Sequence, residues 1–370
     1  MAERAGFDDG EVVPLTSIRG IASFAVIVVH ILHRLAREGW AGFPPGPITR
    51  LFLDGNLSVE MFFVLSGYIL GRIYPSPLSV PDFLVHRAAR VLPLLWTLLT
   101  VIGLGIVGVR MLGVHVADGE PLSLSSLPFE FTLTNVAFGV RSLDPPSWSL
   151  NVELAAYLLF PLLHFAGARL KRPMLVALAL LFFIAHVVLM SIFAPTPTGY
   201  PAYLRGVFGF GLGSMLAFAF KGARSAPNWL PLACVAAIAV ASEFGVREAA
   251  VAGCAVLIVA LGSGARGNIV YRVMSNPVLA WLGRLSFAIY LLQLPVLRVA
   301  IYAMMHIPIL HASPVMTVVT MTAYVLVVVA LADLSGRFVE TPSRRLVRRA
   351  WDRLRRPPPG LRPADQPAPP

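Results

Sequence analysis

The chain has 370 residues, of which 57% are hydrophobic and only 13% charged, with a formal net charge of +11. Its mean hydropathy is +0.75. A soluble globular chain is about 45–50% apolar and about a quarter charged, so this composition excludes an ordinary soluble domain. The two cysteines, Cys234 and Cys254, both fall in apolar runs and read as packing residues rather than a disulfide or metal pair.

Stretches of about 20 residues with at most one ionisable side chain recur along the chain, the length a helix needs to cross hydrocarbon. Ten spans are expected, near 16–34, 53–71, 88–112, 150–166, 174–193, 202–220, 229–244, 249–264, 279–303 and 314–335. The fold expected is all-α, a polytopic transmembrane helix bundle. Residues 1–15 form an N-terminal segment and 16–340 the transmembrane domain. Residues 341–370 form a basic, then Pro-rich tail, expected to be disordered from about Pro357. The first apolar run does not read as a cleaved signal peptide. Asp8, Asp9 and Glu11 precede it and no small-residue cleavage site follows.

Lys and Arg in short loops set orientation. With the N-terminus inside, the inner turns carry Arg72 and Arg87, Arg169 with Lys171 and Arg172, Lys221 with Arg224, and Arg266 with Arg272. The tail adds Arg337, Arg344, Arg345, Arg348, Arg349, Arg353, Arg355 and Arg356, whereas 194–201 and 306–313 contain neither Lys nor Arg. Arg34, Arg37 and Arg50 run against this pattern. The expected topology is N-in, C-in, and the net positive charge is mostly a topology signal. The basic tail also suits anionic lipid headgroups. No base-reading module accompanies it, so no nucleic-acid partner is expected.

Function is sought among polar groups that hydrocarbon normally excludes. In SIRGIASFAVIVVHIL, eleven residues at about 100° each bring His30 within about 20° of Arg19, about 16 Å further along the same face. An imidazole takes and returns a proton near neutral pH. The same His also reads as a core residue bonded to a neighbouring helix, with Arg19 snorkelling. His33 lies nearer the outer interface, and no further metal ligands accompany the pair, so no metal site is expected.

The second span carries Glu60, then Ser66, Gly67 and Tyr68. Its acid needs a partner, for which the first span is nearest, and Ser66-Gly67 permits close helix approach. Arg87 and Arg90, at i and i+3, point one way at the start of the third span. Paired guanidiniums suit phosphate, although positive-inside anchoring predicts the same residues. At the outer end of the fourth span, two prolines precede Ser147-Trp148-Ser149, and Glu153 and Tyr157 follow at i, i+4. Gly103-Leu-Gly105-Ile-Val-Gly108 lacks the strand–turn–helix context of a dinucleotide site, so it reads as helix packing, like Gly209, Gly211 and Gly213.

In this order and spacing, these segments resemble the membrane acyltransferase-3 family, bacterial O-acyltransferases of sugars, polysaccharides and some antibiotics. Arg19 and His30 match its Arg-x10-His pattern. Phe62 to Tyr68 match F-F-V-L-S-G-Y, with Glu60 at the usual acid. Arg87 and Arg90 match R-x-x-R, and Ser147 to Tyr157 match S-W-S-L-x-V-E-x-x-x-Y. LSFAIYLLQLPV, around Tyr290, resembles the last signature but has Gln293 where the family usually has His. The likeness covers roughly 14–345.

The resemblance implies an acyl-CoA-dependent enzyme of the bacterial inner membrane, with acyl-CoA, commonly acetyl-CoA, as co-substrate and no permanently bound cofactor. Arg87, Arg90 and Arg19 would hold the donor's phosphates. His30 would act as general base or acyl carrier. Glu153 would orient His30 or hold a hydroxylated glycan or metabolite acceptor, with Glu60, Ser66, Tyr68, Ser149 and Tyr157 in support. The rival readings are a transporter or flippase, against which no internal symmetry is found, and a non-catalytic scaffold. Acyl chain, acceptor and oligomeric state are not legible.

Overall fold

In hydrocarbon every backbone N–H and C=O must be satisfied within the segment, which leaves the helix as the local solution for an isolated apolar run. The computed structural model describes residues 11–40, 55–112, 124–193, 199–222, 226–264 and 266–355. Among them every regular element is helical. The long helices are α1 (Val13–Arg37), α2 (Gly55–Ile73) and α3 (Val80–Met111). After a short α4 (Leu127–Phe131) follow α5 (Trp148–Arg169), α6 (Arg172–Ile192) and α7 (Gly199–Ala219). Then come α8 (Leu230–Glu243), α9 (Arg247–Gly262), a short α10 (Ile269–Met274), α11 (Pro277–His306), α12 (Pro314–Ser335) and α13 (Thr341–Arg355).

Helices occupy all ten expected positions, and seven are long and apolar enough to cross a membrane. The remaining three are α2, which carries Glu60 and Arg72, and α8 and α9, with 14 and 16 residues. Local chemistry explains several starts. Asn276 accepts from Val278 N at 2.8 Å ahead of Pro277, and Ser313 Oγ accepts from Met316 N at 3.2 Å ahead of Pro314. Pro145–Ser147 makes one 3-10 turn before Trp148 opens α5, where the sequence places the helix start. Asp8, Asp9, Arg50, Arg224, Arg356 and the Pro-rich end lie outside the described residues.

Lipid tails are as apolar as leucine, so helices in a bilayer associate where small residues let backbones meet. That happens at two crossings. On α2 and α7, a Cβ added to Gly67 would strike the Phe210 carbonyl, and one added to Gly213 would strike the Val64 carbonyl. Ser214 Oγ donates to the Gly67 carbonyl at 3.3 Å across this contact. On α1 and α11, Gly283 lies against the Thr16 carbonyl and Gly20 against the backbone of Gly283. Phe63, Leu65, Leu95, Phe160, Phe210, Met215 and Leu291 fill the centre. Leu104, Leu158, Leu162, Leu181, Ile184 and Leu326 face outward on the long helices, as lipid contact requires.

One expectation is corrected in part. Among the described residues Gly105 and Gly108 meet nothing within 4 Å and pack no helix pair, whereas Gly103 is buried against the Leu127 side chain of α4. Gly105 and Gly108 lie toward the exposed end of α3, beside Val101, Leu104 and Met111. The basic stretch after the last span is helical as far as residue 355. A π-helical turn, Gly336–Glu340, leads into α13, which docks on the start of α3. There Trp351 Nε1 donates to Asp82 Oδ1 at 2.7 Å and Arg355 pairs with the same carboxylate. Its Arg345, Leu346, Arg349, Arg353 and Leu354 remain exposed.

Gly213→Ala is expected to lower the thermal midpoint in detergent, because overpacking against backbone costs about 1–3 kcal/mol. Gly105→Ala, in open space within a helix, should raise stability by about 0.5–1 kcal/mol. Equal midpoints for the two variants would refute the close α2–α7 crossing.

Candidate active site

Helix α1 runs past two cavities. The first, of about 90 Å³, is lined by Arg19 of α1, Ser66 of α2, Arg87 and Arg90 of α3, and Ser149, Glu153 and Tyr157 of α5. Ser286 and Tyr290 of α11 complete its wall. The helical period puts Ser149, Glu153 and Tyr157 on one face, and Arg87 and Arg90 on another. Tyr157 donates its hydroxyl proton to Glu153, and Ser66 Oγ donates to Glu153 Oε1 at 3.3 Å. The Arg87 guanidinium lies 5.7 Å from the Tyr74 ring centre and 5.9 Å from that of Tyr157. One carboxylate therefore sits among three guanidiniums, and the surplus positive charge favours an anionic guest. Arg344, bonded to Glu340 at 2.6 Å, is an electrostatic neighbour of Arg87 and Arg90. The start of α1 and the end of the described chain thus lie on one side of the bundle.

The second cavity, of about 600 Å³, is lined by His30 and His33 of α1, Trp148, and Asn135, Arg141 and Ser142 from the segment between α4 and α5. Val59 and Tyr290 line both cavities, so the two abut through these side chains. The Tyr290 ring meets Phe62 edge-on at 6.1 Å. His30 Nδ1 lies 3.3 Å from Gln293 Oε1.

A buried carboxylate organises the wall of the second cavity. Glu130 accepts from Leu143 N at 2.7 Å, Ser142 Oγ at 2.5 Å and Ser126 Oγ at 3.1 Å, which ties the segment back on itself. Arg298 of α11 donates to the Leu143 carbonyl at 2.7 Å. Burial, and then the neighbouring Glu130, hold the Asp144 carboxyl well above the usual carboxylate range, against the pull of Arg298.

Of the residues expected to act together, Arg19, Arg87, Arg90, Ser66, Ser149, Glu153 and Tyr157 share one cavity. His30 lies in the other. Glu153 pairs with Tyr157 and Ser66, not with the imidazole, whose side-chain partner is Gln293. The reason is depth: Arg19 and His30 share a face of α1, but about three turns separate them.

Glu60 and Tyr68 line neither cavity. Glu60 does not pair with α1 as expected. Its Oε1 lies 2.5 Å from Arg205 Nε, and its Oε2 lies 3.5 Å from His186 Nε2. The Arg205 guanidinium in turn sits 4.9 Å from the Trp148 ring centre. Tyr68 faces Gly262 and accepts from Arg72 at 3.2 Å. Arg205, His186 and Ser286 were missed by the sequence reading. Arg205 and His186 carry the same signal as Glu60, an ionisable group inside an apolar run. A serine such as Ser286 carries none.

The Glu60–Arg205 pair is buried, at 0% and 2% side-chain exposure. Arg205→Met should cost about 3–5 kcal/mol by stranding a carboxylate, and adding Glu60→Met should recover most of it. Thermal unfolding of the single and double variants checks this. A double variant as unstable as the sum of both singles would deny the coupling.

The comparisons bear on this arrangement. The chain is 30% identical over 158 residues to the acyltransferase MdmB of Streptomyces mycarofaciens, covering 41% of this chain and 39% of that protein. It is 26% identical over 385 aligned positions to the putative peptidoglycan O-acetyltransferase YrhL of Bacillus subtilis (strain 168), covering 92% of this chain and 56% of that protein. The chain therefore spans well under two thirds of either relative's length. No solved structure matches. The profile of the acyltransferase-3 family, an acyltransferase domain, matches residues 15–337. That span covers most of the multi-helix bundle and both cavities, and the chain belongs to the acyltransferase-3 family.

Proposed function

We propose that this protein is an O-acyltransferase of the bacterial inner membrane that moves an acyl group, acetyl in the first instance, from cytoplasmic acyl-CoA to a hydroxyl of a glycan or similar acceptor. In this reading the bundle crosses the membrane ten times, with both ends inside. The observation that carries it is the pair of abutting cavities, one rich in guanidinium groups and one holding an imidazole.

Arg19, Arg87 and Arg90 offer charge-assisted bonds to the donor's phosphates, with Arg87 stiffened by its aromatic neighbours. The thioester end passes Tyr290 toward the wider cavity. The acceptor enters that cavity from the opposite side, between Trp148, Asn135 and Arg141. His30 removes the proton from the acceptor hydroxyl as its oxygen attacks the thioester carbonyl. The new C–O bond forms, the C–S bond breaks, and the proton passes from the imidazole to the departing thiolate. Glu153 balances the guanidinium cluster and holds Tyr157 in place. Its likeness to a putative peptidoglycan O-acetyltransferase of Bacillus subtilis favours acetyl and a glycan acceptor.

Purified protein is to be incubated with labelled acetyl-CoA and candidate glycan acceptors. His30→Ala should lower turnover about 10²–10⁴-fold, the usual loss on removing a general base. Arg90→Ala should raise the donor KM about tenfold, equivalent to about 1.4 kcal/mol of binding. Wild-type turnover by His30→Ala would sink the assignment of the base. Acceptor counterflow without any covalent change would point to a transporter instead.

A further inference from the structure

We infer that Gln293 fixes the tautomer of His30, holding the ring proton on Nδ1 and leaving Nε2 as the basic nitrogen that faces the second cavity. The inference rests on His30 acting as the base in acyl transfer, and it adds a positioning residue from α11. A neutral imidazole has one N–H and one lone pair, and whichever nitrogen finds an acceptor keeps the proton. Here the nitrogen that meets a side chain is Nδ1, at 3.3 Å from the Gln293 amide oxygen.

The amide itself is not free to turn over. Its Nε2 donates to the Tyr290 carbonyl at 3.2 Å, one turn back on α11. Rotating the amide by half a turn would set its oxygen against that carbonyl, two acceptors with no proton between them, in a site where Gln293 is fully buried. The oxygen is therefore committed to His30. The backbone at Gln293 is anchored as well, because Tyr324 of α12 donates its hydroxyl to the Gln293 carbonyl at 3.0 Å. His30 lines the wider cavity, and with Nδ1 taken by Gln293, Nε2 is the nitrogen left for an incoming hydroxyl.

This gives a physical meaning to the departure from the family's usual histidine. An imidazole at 293 can donate or accept, and would leave the tautomer of His30 to be settled between two rings. A glutamine whose amide nitrogen is held at the Tyr290 carbonyl turns its oxygen to the ring, and an oxygen can only accept.

The test uses the full-length protein labelled with [15N]histidine in lipid, the His30 signals being those lost in His30→Ala. At a pH where the ring is neutral, the wild-type spectrum should show Nδ1 protonated and Nε2 bare. Gln293→Leu, which removes the acceptor, should give a mixture or the reverse. In the acyl-transfer assay Gln293→Leu should lower kcat about 10–100-fold, the usual cost of losing an orienting partner, with the donor KM within about twofold. A wild-type ring protonated on Nε2, or an unchanged tautomer and rate in Gln293→Leu, would overturn the inference. If wild-type protein transfers no acyl group, the acyl-transfer reading falls, while the wild-type spectrum still decides the tautomer without any turnover.

Discussion

Charge inside a bilayer persists only where it is paired or where a polar cavity receives it, because an isolated ion in hydrocarbon is costly. The bundle answers that constraint in two ways. Between α2, α6 and α7, Glu60, Arg205 and His186 form a buried cluster in which the carboxylate is paired with a guanidinium. Between α1, α3 and α5, Arg19, Arg87 and Arg90 are gathered around a cavity and outnumber their one lining carboxylate, Glu153. The first arrangement matches its opposite charges. The second is left with positive charge to spare, which is the physical mark of a place for an anion.

The two arrangements are mechanically joined. Arg205 stacks on Trp148, which lines the wider cavity and opens α5, the helix that carries Ser149, Glu153 and Tyr157. The buried pair thus touches the first residue of the helix that lines the site. The glycine crossings do comparable work: Gly67 and Gly213 bring α2 against α7, and Gly20 and Gly283 bring α1 against α11. The second crossing matters most for chemistry, since it holds the helix of His30 beside the helix of Tyr290 and Gln293.

Tyr290 stands at the meeting of the cavities, edge-on to Phe62. The arginine-lined cavity and the cavity of His30 are separated by this side chain and Val59.

Composition and the length of the apolar runs determined the class of this protein and the place of each long helix, because hydrocarbon leaves a single backbone solution and a fixed span. Motif spacing also made most of the arginine-lined cavity legible, since residues three and four apart on a helix share a face whatever surrounds them. Tertiary structure alone decided which faces meet. Glu60 turns to Arg205 rather than to α1, and Glu153 holds Tyr157 rather than His30. Gln293 reaches an imidazole 263 residues away in the chain. Among the described residues the glycines of α3 meet no backbone within 4 Å while Gly213 of α7 lies against the Val64 carbonyl, although both read as small-residue runs. Helical periodicity records the direction of a side chain about its own axis; it carries no record of the neighbour waiting there, and partners so distant in sequence are chosen by packing.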